Sequence, residues 1–300
     1  MKNKLFHESV IDPSFVLSDD ALNILREFRL DKGRYIEKLP DDWSLRCQEI
    51  LMSDINDLNR HKKLAYLSLI QSSVLGLRRM RPNKGKNWQE KVIEIDRQIP
   101  FDVVVNNGKV NFAGSVIDLD EYLNKSELCV GSIDQIFQNP FDWELVLRPI
   151  VGSDNSLALI DRYIDFDRRD YCEAFITLLN LIRQYPAVNE LRVIAAPQLT
   201  SDDVNAVSHN LRIKNILNQI RKILHKDFSD LKIRIIVFSV KGLHKRFMTN
   251  KFCGLELDYG LRISRTQRQR ISVLRASQLK DIKESYLTLV AGGVLAWPAH

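Results

Sequence analysis

The chain lacks the sequence features of secreted, membrane-spanning or zinc-binding proteins. Its four cysteines are Cys47, Cys129, Cys172 and Cys253. They are far apart and form no C-x-x-C pair or Cys/His cluster, which favours reduced thiols and argues against a structural metal site. No apolar run approaches the roughly 20 residues of a membrane-spanning helix, and the first residues lack the apolar segment of a signal peptide. We therefore expect a cytoplasmic protein with no membrane association, no metal and no cofactor.

A nucleotide-driven motor is also excluded, because the chain has no G-x-x-x-x-G-K-[ST] loop. What the sequence does contain is typical of a globular protein: 45% of its 300 residues are hydrophobic and 27% are charged. That length suits one large domain or two ordinary ones. The formal net charge of +6 permits an anionic partner but does not require one.

The first part of the chain has the apolar spacing of helices. Leu22, Leu25 and Phe28 recur at helical spacing after residues that favour a helix start, and similar patterns follow over residues 41–58 and 62–77. Residues 101–112 combine a run of valines with an Asn-Gly turn, which predicts a β-hairpin. We therefore predict that residues 1–130 form a mostly helical part with a small hairpin.

A basic loop interrupts this part at residues 77–86, where Pro82 and Gly85 break the helical pattern. Its arginines are Arg78, Arg79 and Arg81. Such a loop is either a solvated basic surface or a set of contacts to a phosphate backbone, which needs only accessible positive charge.

The second part of the chain alternates strands with helices. Apolar segments at 156–164, 190–196 and 231–239 are separated by helical patterns, which predicts parallel strands covered on both faces. Ligands of such sheets bind beyond the carboxyl ends of the strands. The polar residues at those ends are Asp161 and Tyr163 after the first strand, and residues 244–250 after the third. Their convergence would form a site.

Three stretches of the chain carry a resemblance to a known family. They are Gly242-Leu-His-Lys-Arg-Phe-Met-Thr-Asn250 with Cys253-Gly-Leu-Glu-Leu-Asp-Tyr-Gly-Leu261, and Ile160-Asp-Arg-Tyr-Ile164, in which Arg162 replaces a proline. Together they resemble divergent phospholipase D-like domains, including those of bacterial accessory proteins. About twenty residues match well, and about half the chain matches loosely. The resemblance implies an α/β fold in which residues 131–300 form a phospholipase D-like sheet domain.

The resemblance also assigns roles to residues. His244 takes the position of the family's catalytic histidine and Arg246 that of its phosphate-holding lysine, whereas Lys251 stands where the family has an aspartate. The chain has no complete H-x-K-x4-D motif. Arginine keeps a cation that can hold phosphate. Catalysis would need two chains that each contribute a histidine, with Asp161 or Asp258 as candidate replacements for the missing acid.

The chain after this segment is rich in positive charge. Residues 259–280 contain no Asp or Glu. Their basic residues are Arg262, Arg265, Arg268, Arg270, Arg275 and Lys280. This run is either an exposed helix or strand face or, together with Thr249 and Asn250, a track for a polyanion. Tyr259 is the only aromatic residue in this run, so the sequence gives little support to base stacking of the kind seen in single-strand binders.

Three functions remain open on the sequence. The first is a phosphate- or nucleic-acid-binding accessory subunit with little or no catalysis, in a bacterial DNA-processing or anti-phage defence assembly, a context that the resemblance alone supplies. The second is a dimeric metal-independent nuclease or phosphodiesterase that uses His244. The third is a protein-interaction scaffold. We expect other protein subunits as partners. If the chain binds a nucleic acid, we expect DNA rather than RNA, and if it is catalytic, we expect a homodimer.

Overall fold

The computed structural model describes residues 5–17, 21–53, 65–70, 74–76, 87–105, 116–117, 134–137, 142–197, 206–263, 268–289 and 293–297. The chain divides into two compact units. The N-terminal unit is Lys4–Ile133, and the C-terminal unit is Asp134–His300 with Met1–Asn3. Both units combine helices with a β-sheet, so the protein is α/β. Among the described helices, none is both long and apolar enough to cross a membrane.

The described part of the N-terminal unit is built on a five-stranded sheet. Its strands are β1 (His7–Ile11), β2 (Arg34–Glu37), β3 (Val74–Leu75), β4 (Val103–Val105) and β5 (Val116–Ile117). They lie in the order β3-β2-β1-β4-β5, and every pair is parallel. Val10, Ile36 and Val104 are fully buried in this sheet. β4 is an unbroken run of three buried valines, which is the pattern of a parallel strand covered on both faces.

Helices complete the N-terminal unit. They are α1 (Ala21–Glu27), α2 (Trp43–Ser53) and α3 (Trp88–Asp96), with helical residues 65–70 and 3-10 turns at Pro13–Leu17 and Leu30–Lys32. The start of α3 is set by Asn87, whose side chain accepts a hydrogen bond from the Glu90 N–H at 2.8 Å. In the core, the rings of Phe15 and Trp43 stack at 5.9 Å between centroids.

This architecture corrects the prediction for residues 1–130. The unit centres on a parallel sheet rather than on helices with a small hairpin, and β4 has a parallel neighbour on each edge, so it is not a hairpin arm. The predicted helix at 62–77 is described as helical only at 65–70 and is followed by β3. These strands escaped detection because two or three apolar residues carry no readable period.

The C-terminal unit contains an eight-stranded sheet among its described residues. Its strands are β6 (Asp134–Phe137), β7 (Ser156–Ile160), β8 (Glu190–Ala195), β9 (Arg234–Ser239), β10 (Phe247–Thr249), β11 (Gly254–Leu257), β12 (Gln269–Val273) and β13 (Val294–Trp297). The order is β13-β9-β8-β7-β10-β11-β12-β6. The three predicted strands, β7, β8 and β9, are parallel neighbours as expected, and the remaining pairs are antiparallel.

Helices cover this sheet. They are α4 (Trp143–Ser153), α5 (Arg169–Gln184), α6 (Ala206–Asp227) and α7 (Ala276–Ile282), which continues into a π-helical turn, Lys283–Leu287. Helix α5 forms because its apolar residues recur every three or four positions, and Tyr171, Phe175, Leu178 and Ile182 are all buried. A cluster that includes Ile160, Phe247 and residues of α7 is buried on one face of the sheet.

The direction of β10 positions the site. β10 is antiparallel to β7, with Phe247 opposite Ile160 and Thr249 opposite Ala158. The residues just before β10 therefore lie at the carboxyl end of β7. The residues just after β10 lie toward its amino end, because each step along a strand moves the chain about 3.3 Å.

Candidate functional site

The centre of the site is Asp161, which directly follows β7. Its backbone N–H continues the ladder to the Ile194 carbonyl at 2.9 Å, and its side chain is only 1% exposed. The Asp161 Oδ1 atom accepts a hydrogen bond from the Tyr163 N–H at 2.8 Å, and Oδ2 accepts one from the Tyr171 hydroxyl at 3.3 Å. A buried carboxylate at the carboxyl end of a parallel strand is thus held by groups from β7's own loop and from α5.

Arg246 extends from the start of β10 to this carboxylate. Its Nε atom lies 3.4 Å from Asp161 Oδ1, and its side chain is 22% exposed. The same Nε atom is buried and has no partner with hydrogen-bond geometry. The Arg246 guanidinium also lies 5.1 Å from the centre of the Tyr163 ring, and that of Arg162 lies 5.2 Å from it. Arg246 is therefore held by the Asp161 carboxylate and by a cation–π contact with the Tyr163 ring.

Arg262 approaches the same carboxylate from the loop that follows β11. Its guanidinium lies 4.8 Å from the centre of the Tyr259 ring, and Nη1 lies 3.9 Å from Asp170 Oδ2. The Arg262 carbonyl accepts a hydrogen bond from Trp143 Nε1 at 3.2 Å, which ties this loop to α4. We call Arg162, Tyr163, Arg246, Tyr259 and Arg262 the arginine–tyrosine cluster.

Gly260 allows the Tyr259–Arg262 loop to pass this close to Asp161. Its φ is +76°, and a Cβ atom there would lie 1.8 Å from Asp161 Oδ2 and 3.2 Å from the Tyr171 hydroxyl. Both the backbone conformation and the contact exclude a larger residue. Gln269, itself buried, donates from Nε2 to the Gly260 carbonyl at 2.8 Å and fixes the turn.

Burial dominates the electrostatics of this centre. It raises the pKa of Asp161 above the ordinary carboxyl value, although the Tyr163 N–H, Arg246, Tyr171 and Arg262 all favour the charged form. The pKa of Tyr171 is raised by burial and then by the negative charge of Asp161. Burial also lowers the pKa of Arg212 on α6, whose Nη2 donates to the Ile164 carbonyl.

His244 lies outside this network. It occupies the exposed loop between β9 and β10. Within the described residues its side chain has no hydrogen-bonding or ionic partner, so the structure provides no carboxylate to orient the imidazole. An oriented imidazole is what nucleophilic or general-base catalysis by histidine requires.

Thr249 and Asn250 are corrected as phosphate-binding residues. Both are fully buried. The Thr249 hydroxyl lies 2.9 Å from the Cys253 carbonyl, to which it donates. Asn250 Nδ2 donates to the Ile150 carbonyl and to Ser153 Oγ, both at 2.7 Å. Its Oδ1 accepts from the N–H groups of residues 252 and 253, both at 2.8 Å. Because these polar atoms are already paired at the amino end of β7, they build the β10–β11 turn.

Lys251 and Asp258 also lie away from the centre. Lys251 Nζ lies 3.2 Å from Asp154 Oδ1, so the residue in the family's aspartate position makes an ion pair of its own. Asp258 is exposed, and its backbone N–H donates to the Arg270 carbonyl at 3.2 Å. Of the two candidate acids, the structure therefore brings Asp161, and not Asp258, to Arg246.

The remaining basic candidates divide into two groups. Arg268 and Arg270 are exposed at the start of β12, where Gln269 between them points into the protein. The others, Arg265, Arg78, Arg79 and Arg81, lie outside the described residues.

No protein-family model matches the chain, and a search of the curated proteins finds no match. The likeness to phospholipase D-like domains therefore remains a hypothesis.

Sequence reasoning missed Tyr171, Gly260, Gln269 and Arg212. Gly260 lies within a stretch that carries the resemblance. Its residue type was the one available signal, because a glycine between Tyr259 and Leu261 can mark a turn with positive φ. Tyr171 reads as an ordinary residue of the apolar stripe of α5. Nothing in the sequence distinguishes it from the core residues around it.

Proposed function

We propose that the arginine–tyrosine cluster binds a phosphodiester backbone without cleaving it, and that the chain acts as a nucleic-acid-binding accessory subunit. The observation that carries this proposal is the state of Arg246. Its Nε atom faces the buried Asp161 carboxylate at 3.4 Å and its guanidinium lies against the Tyr163 ring, whereas the side chain as a whole is 22% exposed. A guanidinium that is fixed in this way can present its remaining N–H groups to a phosphate at little cost in side-chain entropy.

The surroundings of Arg246 support a phosphate rather than a carboxylate-rich partner. Arg162 and Arg262 lie in the same cluster, and Lys245, next to Arg246 in the chain, is exposed with its Nζ atom 3.1 Å from Glu256 Oε1. Several cations at one edge attract a polyanion and contribute affinity that falls steeply with salt. Because Asp161 is buried behind them, it orients the arginines without presenting its own charge to the ligand.

Two features argue against catalysis. His244 lacks a partner among the described residues, and Lys251, at the position of the family's catalytic aspartate, is engaged with Asp154. The accessory role in a larger bacterial assembly rests on the resemblance alone.

The test is binding of labelled DNA and RNA oligonucleotides by fluorescence anisotropy at low and moderate salt. We expect Arg162→Ala and Arg246→Ala each to weaken binding about tenfold at low salt and to reduce the salt slope by about one. Arg246→Ala also removes the cation beside the buried Asp161 carboxylate, so it can lower stability as well as binding. Arg162→Ala tests binding without removing that ion pair. The matched control is Arg183→Ala, since Arg183 is a 39% exposed arginine of the same unit that pairs with Asp230 at the far end of α5.

Two results would overturn the proposal. If the chain binds no nucleic acid at low salt, the proposal fails and the protein-interaction scaffold becomes the favoured function. Hydrolysis of the oligonucleotides in EDTA that disappears in His244→Ala would show a metal-independent nuclease.

A further inference from the structure

We propose that the arginine–tyrosine cluster takes single-stranded rather than duplex nucleic acid, with unpaired bases stacking on Tyr163 and Tyr259. This inference rests on the proposed function and names the ligand class of the same site. Its basis is the exposure of two tyrosine rings, one from the loop after β7 and one from the loop after β11.

Both rings are open to solvent. Tyr163 is 50% exposed and Tyr259 is 40% exposed, although large apolar side chains of this unit are mostly buried. A guanidinium lies over each ring: those of Arg246 and Arg162 at 5.1 and 5.2 Å from the centre of the Tyr163 ring, and that of Arg262 at 4.8 Å from the centre of the Tyr259 ring. An exposed ring next to a cation is the combination that binds a base and its phosphate together.

The backbones of the two tyrosines are anchored to one buried network. The Tyr163 N–H donates to Asp161 Oδ1 at 2.8 Å. The Tyr171 hydroxyl lies 3.3 Å from Asp161 Oδ2 and 3.5 Å from the Tyr259 carbonyl. Asp161 thus fixes the Tyr163 backbone, and the Tyr171 hydroxyl lies against the Tyr259 carbonyl, while both rings remain exposed. A platform that is held this way loses little entropy when it binds.

Only an unpaired strand can use such a platform fully. In a duplex the bases are stacked on one another and present only their edges in the grooves, whereas single strands offer their π-faces. Duplex binding at this site would use the arginines alone. Substitution of the tyrosines should therefore weaken the binding of single strands and not that of duplexes.

The test compares single strands with a duplex of matched length. Labelled thymidine and uridine homopolymers and a mixed-sequence duplex are titrated with the full chain, with Tyr163→Ala and Tyr259→Ala, and with the ring-retaining Tyr163→Phe and Tyr259→Phe. The matched control is Phe252→Ala, because Phe252 is 39% exposed and has a cation, Lys251 Nζ, 4.7 Å from its ring centre. That ring lies at the amino end of β7, away from the cluster.

We expect each alanine variant to weaken single-strand binding about tenfold and duplex binding less than about twofold, with the phenylalanine variants and Phe252→Ala unchanged. Equal losses for single strand and duplex, or no loss for either, would overturn the inference. In those cases arginine-dependent binding still supports the proposed function. If the full chain binds neither ligand, or if the arginine variants bind as well as the full chain, the proposed function fails as well.

Discussion

Asp161 is a carboxylate buried among groups that favour its charge. Arg246, the Tyr163 N–H and the Tyr171 hydroxyl all contact it, and Gly260 passes over it. Burial nevertheless raises its pKa, so loss of hydration outweighs these partners. A residue kept at such a cost serves to position others, and here it positions Arg246.

The first prediction concerns Asp161→Asn. Because the folded-state pKa lies above the unfolded value of about 3.9, the folded protein binds more protons between the two values. The contribution of Asp161 is fully present below the unfolded pKa and is lost as the pH rises through the folded pKa. We therefore expect the free energy of unfolding of the native protein, minus that of Asp161→Asn, to fall as the pH rises through this window.

Urea denaturation of both proteins across the pH range measures this difference. A difference that rises with pH would show that Arg246 and the hydrogen bonds outweigh burial, and it would reverse the assigned sign.

At the scale of elements, the reversal of β10 separates the two ends of the segment that resembles a phosphate motif. Arg246 precedes β10 and reaches Asp161, whereas Asn250 follows β10 and joins its turn to the end of α4 through Ile150 and Ser153. One segment thus serves a surface site at one edge of the sheet and a structural turn at the other.

The second prediction concerns the stability of the Asn250→Ala variant. The change removes the acceptor of the part-buried Phe252 N–H and of the buried Cys253 N–H, and one of the donors to the Ile150 carbonyl, so we expect a loss of about 3 kcal/mol in the free energy of unfolding. Nucleic-acid affinity should be unchanged at temperatures where the variant is folded. Asn155→Ala is the matched control, since Asn155 is exposed beside the same region, and it should change stability by less than about 0.5 kcal/mol.

Calorimetry together with the anisotropy assay separates the two roles of Asn250. A variant that stays stable but binds nucleic acid weakly would return Asn250 to the binding surface.

For the molecule as a whole, each unit has a hydrophobic core of its own. Ile24, Phe15 and Trp43 belong to one buried cluster of the N-terminal unit, and Ile160, Ile194 and Phe247 belong to one in the C-terminal unit. The described N-terminal sheet is parallel throughout, whereas in the C-terminal sheet the parallel strands β9, β8 and β7 have antiparallel neighbours on both sides.

Ile24→Ala tests this division. The residue is fully buried, so its truncation should cost about 2 to 5 kcal/mol. Hydrogen exchange should show faster opening within Lys4–Ile133 and unchanged protection of β7, β8 and β9. Equal loss of protection in both units would mean that the chain unfolds as one cooperative body.

Long periodic patterns were enough to predict part of the fold. Helix α5 and the parallel strands β7, β8 and β9 were readable because each is long enough for its period or its apolar run to stand out. The polar residues after β7 were also readable as candidates, since the carboxyl edge of a parallel sheet is where ligands bind. That local information follows from residue type and spacing alone.

Long-range pairing decided the rest. The short strands of the N-terminal sheet are stabilised only by their neighbours, and the antiparallel pairing of β10 with β7 separates Arg246 from Asn250. Tyr171 and Gly260 meet Asp161 from elements that are distant in the chain, a contact for which no local pattern exists. Residue spacing could therefore identify the chemical groups of the site, whereas their arrangement depended on contacts that form only when the chain folds.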